Sequence, residues 1–348
     1  MFFNNHQTRP HLLLVGNFQS RKGGNRCVGE ELAEHLEHAG YRVTTTSSLR
    51  VRPLRFIDMV GTVWLRRREY QVVYIEVFSG LAFIWAEASA HLLHFLRKPF
   101  VLTLHGGNLP SLAKKKSDRV RKMLTMATKV VTPSKFLYNS FVAIRPDIQV
   151  IPNPIEIENN PFQLRQIAEP KLIWLRAFHE IYNPSLAPKV LAELVVKYPL
   201  IQLTMVGPDK GDGSLEKMKA CAETLQVRQR ITLAGQVPRD EVPGWLNQAD
   251  IFINTTNIDN TPVSVIEAMA CGLCIVSTNV GGIPYLLEDG VDALLVSPND
   301  PKAMADAIDR ILADPQLAAS LSDNARRKAE GFSWSKILPV WEELFETL

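Results

Sequence analysis

The chain has 348 residues, of which 46% are hydrophobic, 22% charged and 8% aromatic, and its mean hydropathy is −0.02. These values are typical of a soluble globular protein and exclude a disordered chain, a collagen and an integral membrane bundle. At roughly 150 residues per domain, the length indicates two domains. The four cysteines are too few and too irregularly spaced for a disulfide framework, which favours a reducing compartment.

Neither a signal peptide nor a membrane span is predicted. Residues 1–10 lack the charged, apolar and small-residue layout of a signal peptide. The most apolar stretch, residues 77–96, contains Glu87, His91 and His94, so we do not expect it to span a membrane. A helix packed at a cleft or on a bilayer is the favoured interpretation of this stretch, with a metal site as the alternative. We therefore expect a cytoplasmic protein.

The net charge of +3 hides an asymmetry between the two halves. The first 170 residues hold 23 basic and 13 acidic residues, whereas the remainder holds 16 and 23, giving net charges of +10 and −7. Such a difference indicates that the halves face different partners. The basic residues form two clusters: Arg50, Arg52, Arg55, Arg66, Arg67 and Arg68, and then Lys114, Lys115, Lys116, Arg119, Arg121 and Lys122.

The second basic cluster precedes Met123, Leu124 and Met126, a pattern typical of a basic amphipathic helix at a membrane surface. We expect the basic half to contact an anionic membrane or acceptor, which would make the protein peripheral on the inner membrane face. The alternatives are another polyanion or a solvated surface. Neither cluster alternates with stacking aromatic residues as in a single-strand binder, so nucleic acid is not the expected partner.

In chain order, the first half alternates apolar runs with helical patterns. An apolar run at residues 11–18 leads into a turn with Gly23 and Gly24, followed by a helical pattern up to residue 39. Alternating strands and helices indicate βαβ units and a parallel sheet. Further strand candidates of this half lie at residues 41–48, 71–78, 98–107, 129–134 and 148–154.

Residues 154–170 interrupt this pattern, because they are polar and contain three prolines, and they are interpreted as a linker. A second strand and helix series follows, so the chain is predicted to hold a basic domain at 1–165 and a second domain at 166–330. A C-terminal helix at 331–348 is expected to pack back on the body. The strand candidates of the second series are residues 171–178, 200–208, 230–237, 249–256, 273–280 and 293–298.

The most informative segment is 259–290, which runs from a loop into a helix and then into a strand that ends at Gly281 and Gly282. If the helix begins near Pro262, Glu267 lies about one turn inside it and Asp259 lies in the preceding loop. Free N–H groups and the positive dipole end at this helix terminus suit a diphosphate. A carboxylate beside it can accept hydrogen bonds from sugar hydroxyls.

This segment resembles the E-x7-E region of retaining nucleotide-sugar glycosyltransferases of the GT-B fold, the glycosyl transferases group 1 family. The string EAMACG, followed by an apolar strand and GG, carries the resemblance, together with LLLVG, KGG, TLHG, VTPS and IPNP in the first half. It implies an α/β protein of two Rossmann-like doubly wound domains that face across a cleft. The first domain would bind the acceptor and the second the nucleotide-sugar donor.

The resemblance also implies site residues. Glu267 would hold the ribose hydroxyls, Asp259 the hydroxyls of the donor sugar, Arg176 the diphosphate, and His105 the transferred sugar. His105, Arg176 and Asp259 form the expected catalytic set. The other donor-binding positions are Gly23, Gly24, Tyr182, Gly207, Lys210, Asn260, Thr261, Pro262 and Val263.

The chain departs from the family pattern at three places. Asp259 is one methylene shorter than the usual glutamate, residues 260–262 are Asn-Thr-Pro instead of Gly-Phe-Gly, and Ile181 replaces a lysine that would help to hold the phosphates. Lys210 is the candidate for the missing charge. No Asp-x-Asp pair suits a magnesium diphosphate, so no metal and no other cofactor are expected.

Cys271 and Cys274 have the spacing of a redox or metal motif, but no second pair matches them and packing is the favoured interpretation. The expected function is retaining, metal-independent hexosyl transfer from a UDP- or GDP-sugar to a glycan or lipid-linked acceptor in surface polysaccharide or glycolipid synthesis. A non-catalytic nucleotide-sugar-binding protein is the main alternative, since one acid is shortened and one lysine is missing. An epimerase or phosphorylase of the same fold is disfavoured by the EAMACG string and by the length.

Overall fold

The computed structural model describes residues 9–19 and 27–348. The chain divides into two compact units: unit 1 comprises Met1–Asn153 and Ser335–Leu348, and unit 2 comprises Pro154–Trp334. The described residues of each unit contain a six-stranded sheet in which every pair of neighbouring strands is parallel. Parallel sheets are covered by helices on both faces, which explains why the central strands are largely apolar runs.

The sheet of unit 1 has the strand order β2-β1-β3-β4-β5-β6. Its strands are β1 (Leu12–Val15), β2 (Val43–Thr46), β3 (Val72–Val77), β4 (Phe100–Leu104), β5 (Lys129–Thr132) and β6 (Gln149–Val150). The helices that connect them are α1 (Val28–His38), α2 (Arg52–Leu65), α3 (Ala82–Phe95), α4 (Leu109–Lys115), α5 (Ser117–Met126) and α6 (Lys135–Phe141).

Helix α5 differs from its sequence prediction as a membrane-surface helix. Of the three apolar residues on which that prediction depended, Met123 and Leu124 are buried in the core of unit 1, and Met126 packs against that core partly buried. Arg119 of the same helix forms an ion pair with Glu87 of α3. The apolar side of α5 therefore holds the helix onto its own unit.

The sheet of unit 2 has the order β12-β11-β10-β7-β8-β9. Its strands are β7 (Lys171–Leu175), β8 (Gln202–Val206), β9 (Ile231–Gly235), β10 (Ile251–Asn254), β11 (Cys274–Thr278) and β12 (Leu294–Val296). The helices are α7 (Leu186–Leu194), α8 (Ser214–Thr224), α9 (Val242–Leu246), α10 (Val263–Ala270), α11 (Ile283–Leu286), α12 (Pro301–Ala313) and α13 (Pro315–Ala329).

The first strand of unit 2 lies in the middle of its sheet. Strand β7 pairs with β8 on one side and with β10 on the other, so the chain order reverses beside it. In open parallel sheets, ligands bind at the carboxyl ends of the strands where such a reversal occurs. The topology therefore places a candidate binding site at the ends of β7 and β10.

The segment interpreted as a linker belongs to unit 2, and the division falls between Asn153 and Pro154 instead of at residue 165. The reason is Arg165, whose side chain is buried and donates to the carbonyl oxygens of Cys271 and Ala249 at 2.6 and 2.9 Å. Its Nε also donates to Asp250 at 3.3 Å. Polar composition does not make a segment free when one side chain satisfies several buried carbonyl groups.

Helix α14 (Trp334–Glu346) ends the chain, and its residues from Ser335 onward group with unit 1. The ring of Trp341 packs edge-on against Tyr74, with 5.6 Å between the centroids. Glu346 accepts a hydrogen bond from Tyr41 at 2.8 Å, and Glu342 lies 3.1 Å from Arg9. The apolar stripe predicted for this segment thus has its partners in unit 1.

The predicted α/β architecture of two doubly wound units is confirmed. Both cysteines of the C-x-x-C motif are buried in the apolar cores of unit 2, where burial raises the pKa of each thiol to about 12. Among the helices that the structure describes, none is long and apolar enough to cross a membrane.

Candidate functional site

Four strand ends of unit 2 supply the candidate site. Arg176 follows β7 directly, Gly207 follows β8, the loop 255–262 connects β10 to α10, and Gly281 and Gly282 follow β11. Because β8, β7, β10 and β11 are neighbours in the sheet, these segments meet at one edge. The edge is the one where the chain order reverses.

The loops at this edge are joined by hydrogen bonds. Thr255 Oγ1 donates to the carbonyl oxygen of Tyr182 at 2.7 Å, and the amide of Asn257 donates to the carbonyl oxygen of Ile181 at 2.8 Å. The indole of Trp174 in β7 in turn donates to Thr255 Oγ1 at 2.9 Å. The loop after β10 is thus fixed to the loop after β7, which positions both sets of side chains before a ligand arrives.

Two glycines permit close backbone approach at this edge. Gly282 has no side chain, and a Cβ at this position would overlap the carbonyl oxygen of Asn260. The amide of Gly282 donates to the carbonyl oxygen of Asp259 at 2.9 Å. Gly207 has φ +145°, and a Cβ there would overlap the carbonyl oxygen of Arg176. Gly282, the second glycine of the Gly-Gly string, therefore fixes the position of the loop that contains Asp259.

Arg176, Asp259 and Tyr182 form a cluster. The guanidinium of Arg176 forms an ion pair with the carboxylate of Asp259, and its Cζ lies 4.6 Å from the centre of the Tyr182 ring. The side chains of Arg176 and Asp259 are only 14% and 15% exposed, and burial lowers the pKa of Arg176. Nε of Arg176 has no hydrogen-bond partner among the described residues. A buried arginine with an unused donor is suited to an anionic ligand.

Glu267 lies on α10, and its carboxylate faces a second cation. Nη2 of Arg239 lies 3.5 Å from Oε1 of Glu267, whose side chain is 13% exposed. Burial raises the pKa of Glu267, while the charges of Arg239 and Arg176 act in the opposite direction. The sequence analysis missed Arg239. Its position shortly after β9, at the same sheet edge, was the available signal.

The start of α10 offers further polar groups. Pro262 caps the helix and has no N–H, as the sequence shows, and Val263 begins the first turn. The first amides of a helix have no partner within it. Ser264 Oγ in the same turn is buried and has no hydrogen-bond partner in the part of the chain that is described. The amide of Asn260 instead donates to its neighbour Asp259 at 2.8 Å, and Thr261 is buried.

The backbone of Lys210 lies close in space to the segment that follows Arg176 in the chain. Its amide donates to the carbonyl oxygen of Phe178, two residues after Arg176, at 3.1 Å, and its side chain is exposed. Ile181, at the position where the family has lysine, is half-buried, and its carbonyl oxygen accepts the loop hydrogen bond from Asn257. Whether Lys210 supplies the missing charge remains a prediction.

In unit 1, His105 follows β4 and is almost fully buried. Its Nε2 lies 3.2 Å from Tyr74 Oη and 4.0 Å from Oε1 of Glu76, and its ring stacks on Phe78. Burial lowers the pKa of His105 to about 4, so the imidazole is neutral near pH 7. The predicted site residues Gly23 and Gly24 lie outside the described residues.

Glu76 is a second residue that the sequence analysis missed. It is buried near the end of β3, and the amide of Asn17 lies 3.4 Å from its carboxylate. Gly29 leaves room for this carboxylate, since a Cβ at position 29 would overlap Oε1 of Glu76. Burial raises the pKa of Glu76 to about 7. The available signal was a lone acid in an otherwise apolar strand, VVYIEV. Within residues 9–19 and 27–348, no group of three histidine, cysteine or acidic side chains could hold a metal ion.

Several known proteins are similar to this chain. A D-inositol 3-phosphate glycosyltransferase of Corynebacterium jeikeium is 30% identical over 170 residues, which are 48% of this chain and 41% of that protein. The chain thus spans about two fifths of the length of this relative. Two solved structures share the fold at 18% identity and 97% coverage of this chain. A sucrose-phosphate synthase from Thermosynechococcus elongatus has a TM-score of 0.79 and is covered to 99%, and Anabaena HepE in complex with UDP has a TM-score of 0.77 and is covered completely.

Two family models match the chain. The model described as Glycosyl transferases group 1 matches residues 157–328, which contain the whole sheet edge with Arg176, Asp259 and Glu267. The model described as Glycosyltransferase Family 4 matches residues 23–159. Since the two matches together extend from residue 23 to 328 and the fold agrees with GT-B structures, the chain belongs to the glycosyl transferases group 1 family.

Proposed function

We propose that the chain is a glycosyltransferase that moves a hexosyl group from a UDP- or GDP-sugar to a glycan or lipid-linked acceptor, with retention of configuration and without a metal. Its product would belong to a surface polysaccharide or glycolipid. The observation that carries this proposal is the buried guanidinium of Arg176, which has an unused donor and lies where the chain order of a parallel sheet reverses. Such a group is suited to the diphosphate of the donor.

The chemistry follows from the charge that the leaving nucleoside diphosphate acquires as the anomeric bond breaks. Arg176 would stabilise this charge from a fixed position, because Asp259 and the Tyr182 ring already hold its guanidinium. The first turn of α10 would add its amides and dipole. Interactions that are in place before the charge develops contribute most to catalysis, since no reorganisation is needed during the reaction.

We assign the remaining contacts as follows. Glu267 would accept the ribose hydroxyls, and Asp259 would exchange part of its contact with Arg176 for a hydroxyl of the donor sugar. His105 would donate or accept one hydrogen bond as a neutral imidazole, which its burial supports. Lys210 is proposed as the second cation on the phosphates, because its loop pairs with the backbone beside Arg176.

The donor is tested by thermal-shift titration with UDP, GDP, ADP and their common sugars. Uridine ligands come first, since HepE, which has the same fold, is solved with UDP and with UDP-glucose. A ligand at 100 times its dissociation constant adds about 2.7 kcal/mol to the free energy of unfolding. We expect stabilisation by one nucleotide, its loss in Glu267→Ala and Glu267→Gln, and no change in Glu193→Ala, an exposed acid on α7.

Transfer is tested by release of the sugar from the stabilising donor in the presence of bacterial membranes as acceptor. Turnover that is lost in Arg176→Met supports the enzyme. Nucleotide binding without turnover supports the non-catalytic alternative, which the shortened Asp259 and the replaced lysine at Ile181 favour. Failure of every donor both to stabilise the protein and to release sugar would contradict the donor site itself. The acceptor class and the location at a membrane rest on the charge of unit 1.

A further inference from the structure

An exposed apolar face lies on α2, among the first basic cluster. Val51, Leu54, Ile57, Trp64 and Leu65 are all between 43% and 77% exposed. Val51 precedes the helix, Leu54 and Ile57 are three residues apart, and Trp64 and Leu65 follow about two turns after Ile57, so these residues lie on one side. Met59 and Val63 on the opposite side are fully buried in the core of unit 1. Helix α2 is therefore apolar both towards its own unit and towards the outside.

The apolar face is bordered by arginines. Arg52 lies at its beginning, and Arg66, Arg67 and Arg68 lie at its end. The guanidinium of Arg67 stacks 4.4 Å from the Trp64 ring and donates to the Trp64 carbonyl oxygen at 2.8 Å. The pair thus places an indole and a cation at the same end of the face. Tryptophan and arginine at the border of an apolar face are typical of the membrane interface.

Little negative charge offsets these arginines. The acidic residue within α2, Asp58, accepts a hydrogen bond from Thr46 Oγ1 of β2 at 3.1 Å. Glu69 beyond the helix lies 3.7 Å from Arg66. Arg55 is the exception among the arginines, because its guanidinium donates to the carbonyl oxygen of Leu49 and to Asn17 Oδ1 at 2.7 and 2.9 Å. Arg55 is therefore structural, whereas Arg52 at the beginning of α2 and the three arginines directly after it border the apolar face.

The neighbouring helix extends this surface. Leu81 and Ile84, at the start of α3, are about half exposed. The guanidinium of Arg55 lies 5.9 Å from the ring of Trp85, so the first turns of α2 and α3 are adjacent. In contrast, Val120, Met123 and Leu124 of α5 are buried, and the exposed residues of that helix are polar or charged. The two basic clusters of unit 1 thus present different surfaces.

We propose that the exposed face of α2 lies in the interface of a bilayer that contains anionic lipid, with its apolar side chains among the acyl chains and its arginines at the lipid phosphates. A bilayer fits better than a protein partner because the face runs about 20 Å along α2, is continued by exposed apolar residues at the start of α3, and is bordered by arginine at both ends. The cluster at residues 114–122 would contribute attraction without insertion. The proposal deepens the membrane contact of the proposed function, and its test does not require sugar transfer.

The first experiment is co-sedimentation of the full chain with vesicles of phosphatidylcholine, alone or mixed with phosphatidylglycerol. We expect binding to the mixed vesicles only. In Ile57→Ser/Leu65→Ser, the partition coefficient is expected to fall at least tenfold, since two apolar side chains no longer insert. The matched control is Val196→Ser/Leu200→Ser, which removes two even more exposed apolar side chains from unit 2 and is expected to bind like the wild type.

A second pair of variants tests the arginines. Arg66→Gln/Arg68→Gln is expected to weaken binding to mixed vesicles about 25-fold, at roughly fivefold for each charge near the surface. Lys114→Gln/Lys115→Gln on α4 is the charge-matched control and is expected to have a smaller effect. The fluorescence of Trp64 is obtained as the difference between the emission of the wild type and that of Trp64→Phe. Brominated lipid should quench this difference, because Trp64 is expected to insert into the bilayer.

Three results would overturn the proposal. Ile57→Ser/Leu65→Ser could bind mixed vesicles like the wild type, or the lysine pair could weaken binding as much as the arginine pair; either would leave only a general attraction to polyanions. Sedimentation equilibrium could instead show a wild-type dimer that the Ile57→Ser/Leu65→Ser change dissociates, which would make this face an interface between copies. Thermal stabilisation by nucleotide, measured on the same variants, separates these outcomes from failure of the donor site.

Discussion

The two units end their parallel strands in opposite electrostatic environments. At the edge of unit 2, Arg176 pairs with Asp259, and Arg239 lies beside Glu267. At the edge of unit 1, the buried groups are a histidine whose pKa is lowered to about 4 and a glutamate whose pKa is raised to about 7. The first edge keeps charges by pairing them, whereas the second favours neutral forms by burying them. Charge suits a diphosphate, and neutral hydrogen-bonding groups suit sugar hydroxyls.

The largest expected effect comes from removing the cation at the edge of unit 2. Arg176→Met keeps the length of the side chain but leaves Asp259 without its partner and the diphosphate without its cation. We expect the rate of sugar transfer to fall about 100- to 1000-fold, the usual effect of losing one fixed charge-stabilising group. The measurement is donor turnover at saturating acceptor. Arg310→Met, an exposed arginine on α12, is the control and should retain wild-type turnover.

Gly282→Ala would break the same edge through the backbone. The new Cβ would overlap the carbonyl oxygen of Asn260, so the loop that holds Asp259 must move. We expect the free energy of unfolding to fall by about 3 kcal/mol and nucleotide binding to weaken. Urea unfolding and calorimetric titration measure the two effects. Gly244→Ala, where a Cβ meets nothing within 4 Å, is the control; an equal loss there would contradict the role of close approach.

Glu76→Gln tests whether burial controls the edge of unit 1. The pKa of Glu76 is raised in the folded state, so protonation of Glu76 stabilises the folded wild type at low pH. This stabilisation is lost as the pH rises through about 7. Relative to the glutamine variant, its free energy of unfolding should fall by on the order of 2–3 kcal/mol between pH 4.5 and 8. Urea unfolding across this range measures the difference. Glu37→Gln, an exposed acid on α1, should show no such trend.

The smallest effect is expected at Arg239, which is about one third exposed. Arg239→Gln removes a charge that lowers the pKa of Glu267, so that pKa should rise further and the carboxylate should be lost at a higher pH. We expect nucleotide affinity to fall by less than about 1 kcal/mol near pH 7, and its loss on acidification to begin earlier. Calorimetric titrations with UDP at several pH values measure both, with Arg310→Gln as the control.

The family resemblance named most of the residues at the candidate edge of unit 2. Arg176, Asp259 and Tyr182 form one cluster there, and Glu267 lies close enough for its charge and that of Arg176 to affect each other's pKa. Arg239 was missed, since its position depends on which strands are neighbours in the sheet. Glu76 was missed because a single acid in a strand does not show whether it is buried or which residue it faces.

The predictions about the protein surface agreed less well with the structure. The basic run at 114–122 with its following apolar residues predicted an amphipathic membrane helix, but Met123 and Leu124 pack into the core. The apolar face of α2 has the same spacing in the sequence as a core face. A periodic pattern shows that a helix has an apolar side, whereas tertiary packing decides whether that side is covered by other residues.

By itself, the sequence determined the alternation of strands and helices, the two parallel sheets and the family, because periodicity and short strings such as EAMACG are local properties of the chain. The tertiary structure decided where the chain divides, since Arg165 fixes the segment after Pro154 to unit 2 through buried carbonyl groups. It also decided which charges pair and which apolar residues are exposed. These properties depend on distances between residues far apart in the chain, which folding alone sets.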